Sequence, residues 1–427
     1  VTLHARAAHL QAGGRLPSLV LGVLRDASLS ETAAVRSTIE TSYRIGSITK
    51  TLTAVLVLQL RDEGRLSLGD PIGRFVSDTG HGAARIADLL GHTAGLPSEP
   101  SGPWWERSPG RSFAELALAN DCSGAVAGPG EFFHYSNLGY GLLGELVARL
   151  RGGSWWEVVT ERLLHPLGMD RTSYGPQRPH AQGYSVEHFT GRLCREPHTD
   201  TGAMAAAGQA WSTVTDLSIW AGVLAGRRPE VLTRESALEM SRDRLGAGYG
   251  LGLRLATCGQ STYVGHTGSM PGFLASLFVD PQRGDGVIAL ANATTGLDAE
   301  AMPRVLLHTA LPDPLSDVQA DSQADPLLGP PAEWEPTTTM PASLDGVVGL
   351  WFWGNTAIEL RWENETLQAR ALQSGRLLYT FSLLAGRLVG VSGYHRGETL
   401  HVHATHLECA TFVYTRVPYD PAAPIPG

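Results

Sequence analysis

The chain has 427 residues, 43% of them hydrophobic and 18% charged, with a formal net charge of −9. That is enough chain for two or three domains with a large core, and the acidic balance without any basic run argues against nucleic acid as a main partner. No apolar run is long enough to span a bilayer, and the four cysteines (Cys122, Cys194, Cys258, Cys409) are scattered without a C-x-x-C spacing, which indicates neither a zinc site nor a disulfide framework.

In chain order, residues 2–12 read as a short amphipathic helix. The first ten residues lack a basic segment followed by an apolar core, so no signal peptide is expected and the location is expected to be cytoplasmic, a cleaved secreted form being the alternative. Ser18–Arg25 reads as a buried strand. Ser42–Gly46 then runs into a helix on which Ile48, Leu52, Val55, Leu56 and Leu60 recur at helical spacing, with Gly64 as its stop.

That helix carries Lys50, the only lysine among the 33 basic residues; the others are arginines. On a surface either residue supplies the charge, so a drift of codons toward arginine is tolerated. Arginine cannot give up its proton at working pH, whereas a buried lysine can shift its pKa and act as a base. Ser47 lies three residues earlier, on the same helical face, so hydroxyl and amine can meet. The helix N-terminus, with its free N–H groups and partial positive charge, favours an alkoxide-like serine and a neutral lysine. S-x-x-K by itself is also compatible with a lysine retained by chance.

From about Leu66 to Gly208, Pro/Gly loops alternate with short helices (Ile86–Leu90, Phe113–Ala119, Leu138–Leu150, Trp155–Leu164), a mostly helical insertion. Within it, Tyr135-Ser136-Asn137 follows a Gly-Pro-Gly loop. A tyrosine can relay a proton if a neighbouring ammonium pulls its pKa down, and Asn137 offers a donor and an acceptor to a substrate amide or to Lys50. Taken alone, the tripeptide reads better as a tyrosine packed on the insertion and a helix-capping asparagine. Val214–Leu224 reads as a helix capped by Ser212 or Thr213. Tyr249–Leu255, Ser261–Gly265, Phe273–Val279 and Gly286–Leu290 read as strands, followed by a helix over Ala299–Ala310. At the end of one strand, Gly265-His266-Thr267-Gly268-Ser269 has glycines that would let a substrate backbone approach, and His266 offers a charge or a proton; a solvated hairpin is the plainer reading. Residues 311–343 are a Pro-rich linker by composition. Beyond it, seven or so short strands suggest a small barrel or sandwich. Trp351, Trp353 and Trp362 read as its core, and His401 and His403 as polar residues on an exposed strand.

Taken together and in this order, S-x-x-K at Ser47, Y-x-N at Tyr135 and H-x-G at His266, with Gly91-His92-Thr93-Ala94-Gly95-Leu96-Pro97 as a further echo, resemble the serine β-lactamase and penicillin-binding-protein superfamily. The resemblance is to the branch with class C β-lactamases, D-alanyl-D-alanine carboxypeptidases, D-aminopeptidases and β-lactamase-fold esterases. It implies an α/β (α+β) domain over 1–310, in which an antiparallel sheet is flanked by helices and carries the helical insertion at about 66–208. After the linker, a lipocalin-like all-β barrel is implied over 344–427. By resemblance Ser47 is the acylated nucleophile, Lys50 its base and Tyr135 a proton shuttle. Asn137, His266, Gly268 and Ser269 contact substrate, and the backbone N–H groups of Ser47 and Ser269 form an oxyanion hole. No cofactor or metal is implied. β-lactamases of the branch carry lysine where this chain has His266, which disfavours an efficient β-lactamase. Three functions follow: a hydrolase of esters or of peptides containing D-residues; a thioesterase of the penicillin-binding-protein type that takes a nonribosomal peptidyl thioester from a carrier protein and cyclises it; or a non-catalytic sensor module. The expected partner is a small-molecule or peptide acyl substrate, without nucleic acid or membrane.

Overall fold

The structure, a computed structural model, describes residues 2–307, 333–410 and 412–418. They fall into two compact units.

The first unit is built on a six-stranded antiparallel sheet made from both ends of its chain. Its strands are β1 (Leu19–Arg25), β2 (Ser28–Val35), β3 (Arg254–Cys258), β4 (Ser261–Met270), β5 (Phe273–Val279) and β6 (Gly286–Ala291), in the spatial order β2-β1-β6-β5-β4-β3. The central strands are buried on both faces, and their side chains sort by the two-residue period of a pleated strand. Leu19, Leu21, Val287 and Ala289 join one apolar cluster with the helices Leu3–Gly14 and Met302–Leu307. Val20, Leu24, Ile288 and Leu290 join the larger cluster on the other face, with α1 (Thr49–Asp62), α2 (Asn137–Arg151) and α3 (Val214–Leu224).

Helix α1 is buried on every side rather than along one stripe, as a helix at the centre of a large core must be. Its threonines are tolerated because each finds a partner: Thr51 Oγ1 donates to the Ile48 carbonyl and accepts from the Trp220 indole, and Thr53 Oγ1 donates to the Ala206 carbonyl.

β4 decides where the site lies. Its first half, Ser261 to Gly265, pairs with β3, and all of it pairs with β5 from Val264 onward. Beyond Gly265 the β3 side of the strand is unpaired by β3, and this edge lies against the turn before α1. Gly46 there has φ +52°, and a Cβ on it would stand 2.6 Å from the Ser269 nitrogen; a Cβ on Gly268 would collide with the Ile45 carbonyl.

Several expected boundaries move. The strand expected over Tyr249–Leu255 begins at Arg254, because Gly248 and Gly252 take positive φ and turn the chain first. β4 continues five residues past its expected end at Gly265, through Met270. The polar edge strand β2, the helix Arg234–Met240 and a small hairpin, Tyr184–Val186 with Leu193–Arg195, were not expected. The helix expected over Ala299–Ala310 is seen as Met302–Leu307, its last three positions lying outside the described residues, as does 311–332 of the expected linker.

The second unit contains residues 186–194, which fall within the expected insertion, and the chain from 335. Eight strands, from Gly349–Trp353 to Phe412–Thr415, pair in sequence order and close into a barrel through Phe352 and Thr415. The eighth strand, beyond the seven expected, is His406–Cys409. The closed barrel fits a lipocalin-like module. Trp351 and Trp362 are in its core as expected, but Trp353 is 44% exposed and stacks on Phe412. Residues 186–194 belong to this unit through contacts such as the Trp362 N–H to the Phe189 carbonyl at 2.7 Å.

Because a Cβ at position 268 has no space, Gly268→Ala is expected to lower stability by about 1–3 kcal/mol, the scale of overpacking, and to displace the β4 edge from the Ser47 turn. Thermal unfolding and turnover measured on the same preparation check this; an unchanged midpoint with unchanged turnover contradicts the close approach.

Candidate active site

Ser47 is the middle residue of a 3-10 turn, Gly46–Ile48, that leads directly into α1. The turn and the first helical residues bring Lys50 Nζ to 2.9 Å from Ser47 Oγ, and the same amine donates to the Ala207 carbonyl at 2.8 Å. Lys50 is 0% exposed. Burial, the largest influence, pushes its pKa down to about 7; Glu99 and Glu106 pull it back up and Arg254 pushes it down further. Near neutral pH a large share of the amine is therefore uncharged. It can hold Ala207 through an N–H while its lone pair faces the serine hydroxyl.

Tyr135 stands on the other side of the amine, its ring centroid 5.0 Å from Nζ. Its hydroxyl is buried and has no hydrogen-bond partner among the described residues. Burial raises the phenol's pKa, and the nearby Ser47 hydroxyl lowers it by a smaller amount. The expectation that a neighbouring ammonium pulls this phenol down is thus corrected. Lys50 is driven toward neutrality and the field of Arg254 does not outweigh burial, so Tyr135 holds its proton.

Asn137 is the first residue of α2, but the cap is Ser136, whose Oγ accepts from the Gly139 N–H at 3.1 Å. This leaves the Asn137 amide free for other work. Its Nδ2 donates to Glu99 Oε1 at 2.7 Å, and its Oδ1 is buried without a partner among the described residues.

His266 is neither solvated nor cationic. It is buried, and burial first, then Arg254 and Lys50, push its pKa well below the ordinary histidine value. Its hydrogen bonds fix its tautomer. The Ser136 N–H donates to His92 Nδ1 at 3.0 Å, so neutral His92 carries its proton on Nε2 and donates to the Tyr249 hydroxyl at 3.2 Å. Tyr249 then donates to His266 Nε2 at 3.0 Å, and His266 Nδ1 donates to the Thr267 carbonyl at 2.5 Å. Every member of this chain is neutral: burial lowers the pKa of His92 and raises that of Tyr249. Gly268 and Ser269 follow on the free edge of β4, Ser269 exposed, with the Ser269 backbone beside the Ser47 turn.

The turn, α1, the loop before α2 and the edge of β4 thus bring together Ser47, Lys50, Tyr135, Asn137, His266, Gly268 and Ser269. Sequence reasoning passed over four neighbours. His92 lies in the Gly91–Pro97 echo, to which no role was attached. Tyr249 sits in the misplaced strand. Arg254 has its guanidinium carbon 5.8 Å from the Tyr135 ring centroid. Glu99 lies in a Pro/Trp loop without any motif. Among the described residues, two groups with metal-ligating atoms lie on the barrel, His395–Glu398–Cys409 and His403–His406–Glu408. Each is tied internally, His395 Nδ1 to Glu398 at 2.7 Å and the His403 ring stacked on His406.

A family model described as Beta-lactamase matches residues 3–311, and the model of a domain of unknown function matches residues 340–416. Among curated proteins, protein flp of Staphylococcus aureus (strain NCTC 8325 / PS 47) is 26% identical over 296 residues, which is 64% of this chain and 56% of that protein. The chain thus spans little more than half the length of this relative. Among solved structures, the octameric penicillin-binding protein homologue from Pyrococcus abyssi superposes with a TM-score of 0.64 at 23% identity, covering 96% of this chain and 98% of that one. The D-stereospecific amidohydrolase from Streptomyces sp. gives 0.63 at 24% identity, covering 72% of this chain and 100% of that one. No helix among the described residues is long and apolar enough to cross a membrane. With the Beta-lactamase model matched over most of its length, the chain belongs to the beta-lactamase family, in the superfamily of serine hydrolases that includes the penicillin-binding proteins.

Proposed function

We propose that this protein is a serine acyl-enzyme hydrolase acting on ester or peptide acyl groups, D-residue-containing ones among them, through an ester on Ser47 Oγ. The observation that carries the reading is the fully buried Lys50 amine, 2.9 Å from Ser47 Oγ with its pKa brought down to about 7. In the first step the Lys50 lone pair takes the Ser47 proton as Oγ adds to the substrate carbonyl. The tetrahedral oxyanion is received by the backbone N–H groups of Ser47 and Ser269, which need no reorganisation because the glycines hold the two segments together. Tyr135, kept protonated by burial, donates its proton to the leaving group and regains one from the Lys50 ammonium. Water then attacks the acyl-Ser47 ester, with the neutral Lys50 amine accepting its proton and passing it to Ser47 Oγ, which leaves as the alcohol. His266 supports this substrate range because a neutral imidazole does not supply the fixed cation that a β-lactam carboxylate calls for. The D-residue class is supported by likeness to the D-stereospecific amidohydrolase.

Ser47→Ala is expected to abolish turnover with the far-UV circular dichroism unchanged, since the turn it occupies is set by Gly46 and not by the serine side chain. Wild-type acylation by an activated ester should rise tenfold per pH unit below about 7 and level off above it. The sign follows from the base: below its pKa the amine is protonated and has no lone pair to give. Lys50→Arg should lose about a hundredfold or more, the scale of a lost general base, with no recovery at high pH. Stopped-flow acylation rates across about pH 5 to 10 check both; a flat wild-type profile, or equal rates for Lys50→Arg and wild type, would contradict the assignment.

A further inference from the structure

We propose that Glu99 and Glu106 form an ammonium-binding subsite beside Ser47, so that the acyl donor taken here carries a free primary amine, as an amino-acid amide or ester or a peptide with a free N-terminus does. This rests on the acyl-Ser47 reading above and names its substrate class.

The two carboxylates lie on a loop that is held in place independently of any ligand. Pro97, Pro100 and Pro103 stiffen it, Arg107 pairs with the buried Glu196, and Arg111 donates to the Ser101 carbonyl at 3.1 Å. The loop stands next to the nucleophile: a Cβ built on Gly208 would lie 3.3 Å from Trp105 Cη2 and 3.9 Å from the Gly46 carbonyl carbon, and the preceding carbonyl, Ala207, is the one that holds Lys50.

The hydrogen bonds show what the subsite lacks. Glu99 accepts from Asn137 Nδ2 through Oε1 and from the Trp105 indole through Oε2 at 2.6 Å. The first bond fixes the asparagine amide, nitrogen toward Glu99, and so leaves Oδ1 as an acceptor without a partner on a side chain that is 8% exposed. Glu106 accepts from the Trp104 indole at 2.9 Å. Neither carboxylate has an ion-pair partner among the described residues. Arg107 is engaged by Glu196, and buried Arg44 gives its Nη2 to the Thr199 carbonyl and Gln209 Oε1, so that its charge reaches Glu106 through space without an ion pair. Two carboxylates and an amide oxygen, all acceptors, therefore line one side of the nucleophile. A group with three N–H donors and a positive charge satisfies them, and a carboxylate is repelled. The field the carboxylates exert points the same way: burial first and then Glu99 raise the pKa of Glu106, against the Trp104 indole, Lys50 and Arg44, and both carboxylates work against the neutrality of Lys50. A bound ammonium relieves the first effect and offsets the second, moving Lys50 toward its basic form when substrate is present.

The competing role is that the two glutamates only hold the loop. Glu106→Gln separates the two because the amide keeps an acceptor for the Trp104 indole and loses the charge; Glu99→Gln loses the charge but can accept from only one of Asn137 and the Trp105 indole, so its effect is read against the acetylated ligand, whose binding reports any disturbance of the loop. The experiment is calorimetric titration of the Ser47→Ala protein with phenylalanine amide, of each configuration, and with its N-acetyl derivative, at a pH of about 6.5, where the free amine is protonated. The free amine is expected to bind at least about tenfold more tightly than the acetylated ligand, the scale of a hydrogen-bonded charge. Glu99→Gln should remove most of that preference and Glu106→Gln part of it, with the acetylated ligand unaffected. Equal binding of the two ligands, no binding of the amine, or a preference that survives both substitutions overturns the subsite. Acylation of wild-type Ser47 by p-nitrophenyl acetate, read by intact mass, depends on the nucleophile and not on the subsite. Its failure overturns the proposed function, and the titration still judges the ammonium site by itself.

Discussion

A primary amine taken wholly out of water does not keep its charge cheaply, and Lys50 is taken wholly out of water. Much of the surrounding architecture follows from that placement. The helix that carries it is buried on all sides, with threonines whose hydroxyls are satisfied internally. The Ala207 carbonyl gives the amine one partner and Ser47 the other, so it is hydrogen-bonded without being ion-paired. A carboxylate in direct contact would have restored the ammonium. The acids that do act on Lys50 are set back on the Glu99–Glu106 loop.

The rest of the site divides by charge. On the β4 side, His92, Tyr249 and His266 form a hydrogen-bonded chain in which every proton is assigned and every group is neutral. That chain adds no positive field to Lys50, and it holds the strand edge rigid through the Thr267 carbonyl. Arg254, paired with Glu300 at its outer end, is the cation whose field reaches Lys50, Tyr135 and His266. On the loop side stand the two glutamates. Ser47, the proposed nucleophile, thus lies between an acidic wall and a neutral one with Arg254 behind it, the charge arrangement on which the proposed ammonium subsite rests.

How much of this was legible in the sequence differs residue by residue. Lys50 stood out by composition, because no other position had kept a lysine, and the helical spacing of Ile48, Leu52 and Val55 placed it one turn from Ser47. The strands of the first sheet were legible where both faces are buried, as in Leu19–Arg25, Phe273–Val279 and Gly286–Ala291. β2 was not, since an edge strand with Ser, Glu and Thr outward carries little hydrophobic period. Arg254 was hidden by the glycines at 248 and 252, whose positive φ delays the strand and brings the arginine beside Gly265. The charge state of His266 and the direction of the Tyr135 shift depend on burial by residues far away in sequence, which no local pattern carries. Glu99 belongs to no motif; only the asparagine it orients does.

Because Lys50 is the only lysine in the chain, its amine can be observed without assignment. Protein grown with 13Cε-lysine and free of any added tag gives one lysine resonance, and its shift against pH reports the ionisation directly. The buried-base account predicts a single titration with its midpoint close to the value of about 7 set by burial, shifted upward in the absence of Arg254, as in Arg254→Met. A midpoint near the ordinary lysine value of about 10.4 would mean that the amine is a permanent cation at working pH, and would contradict its proposed role as the base that activates Ser47.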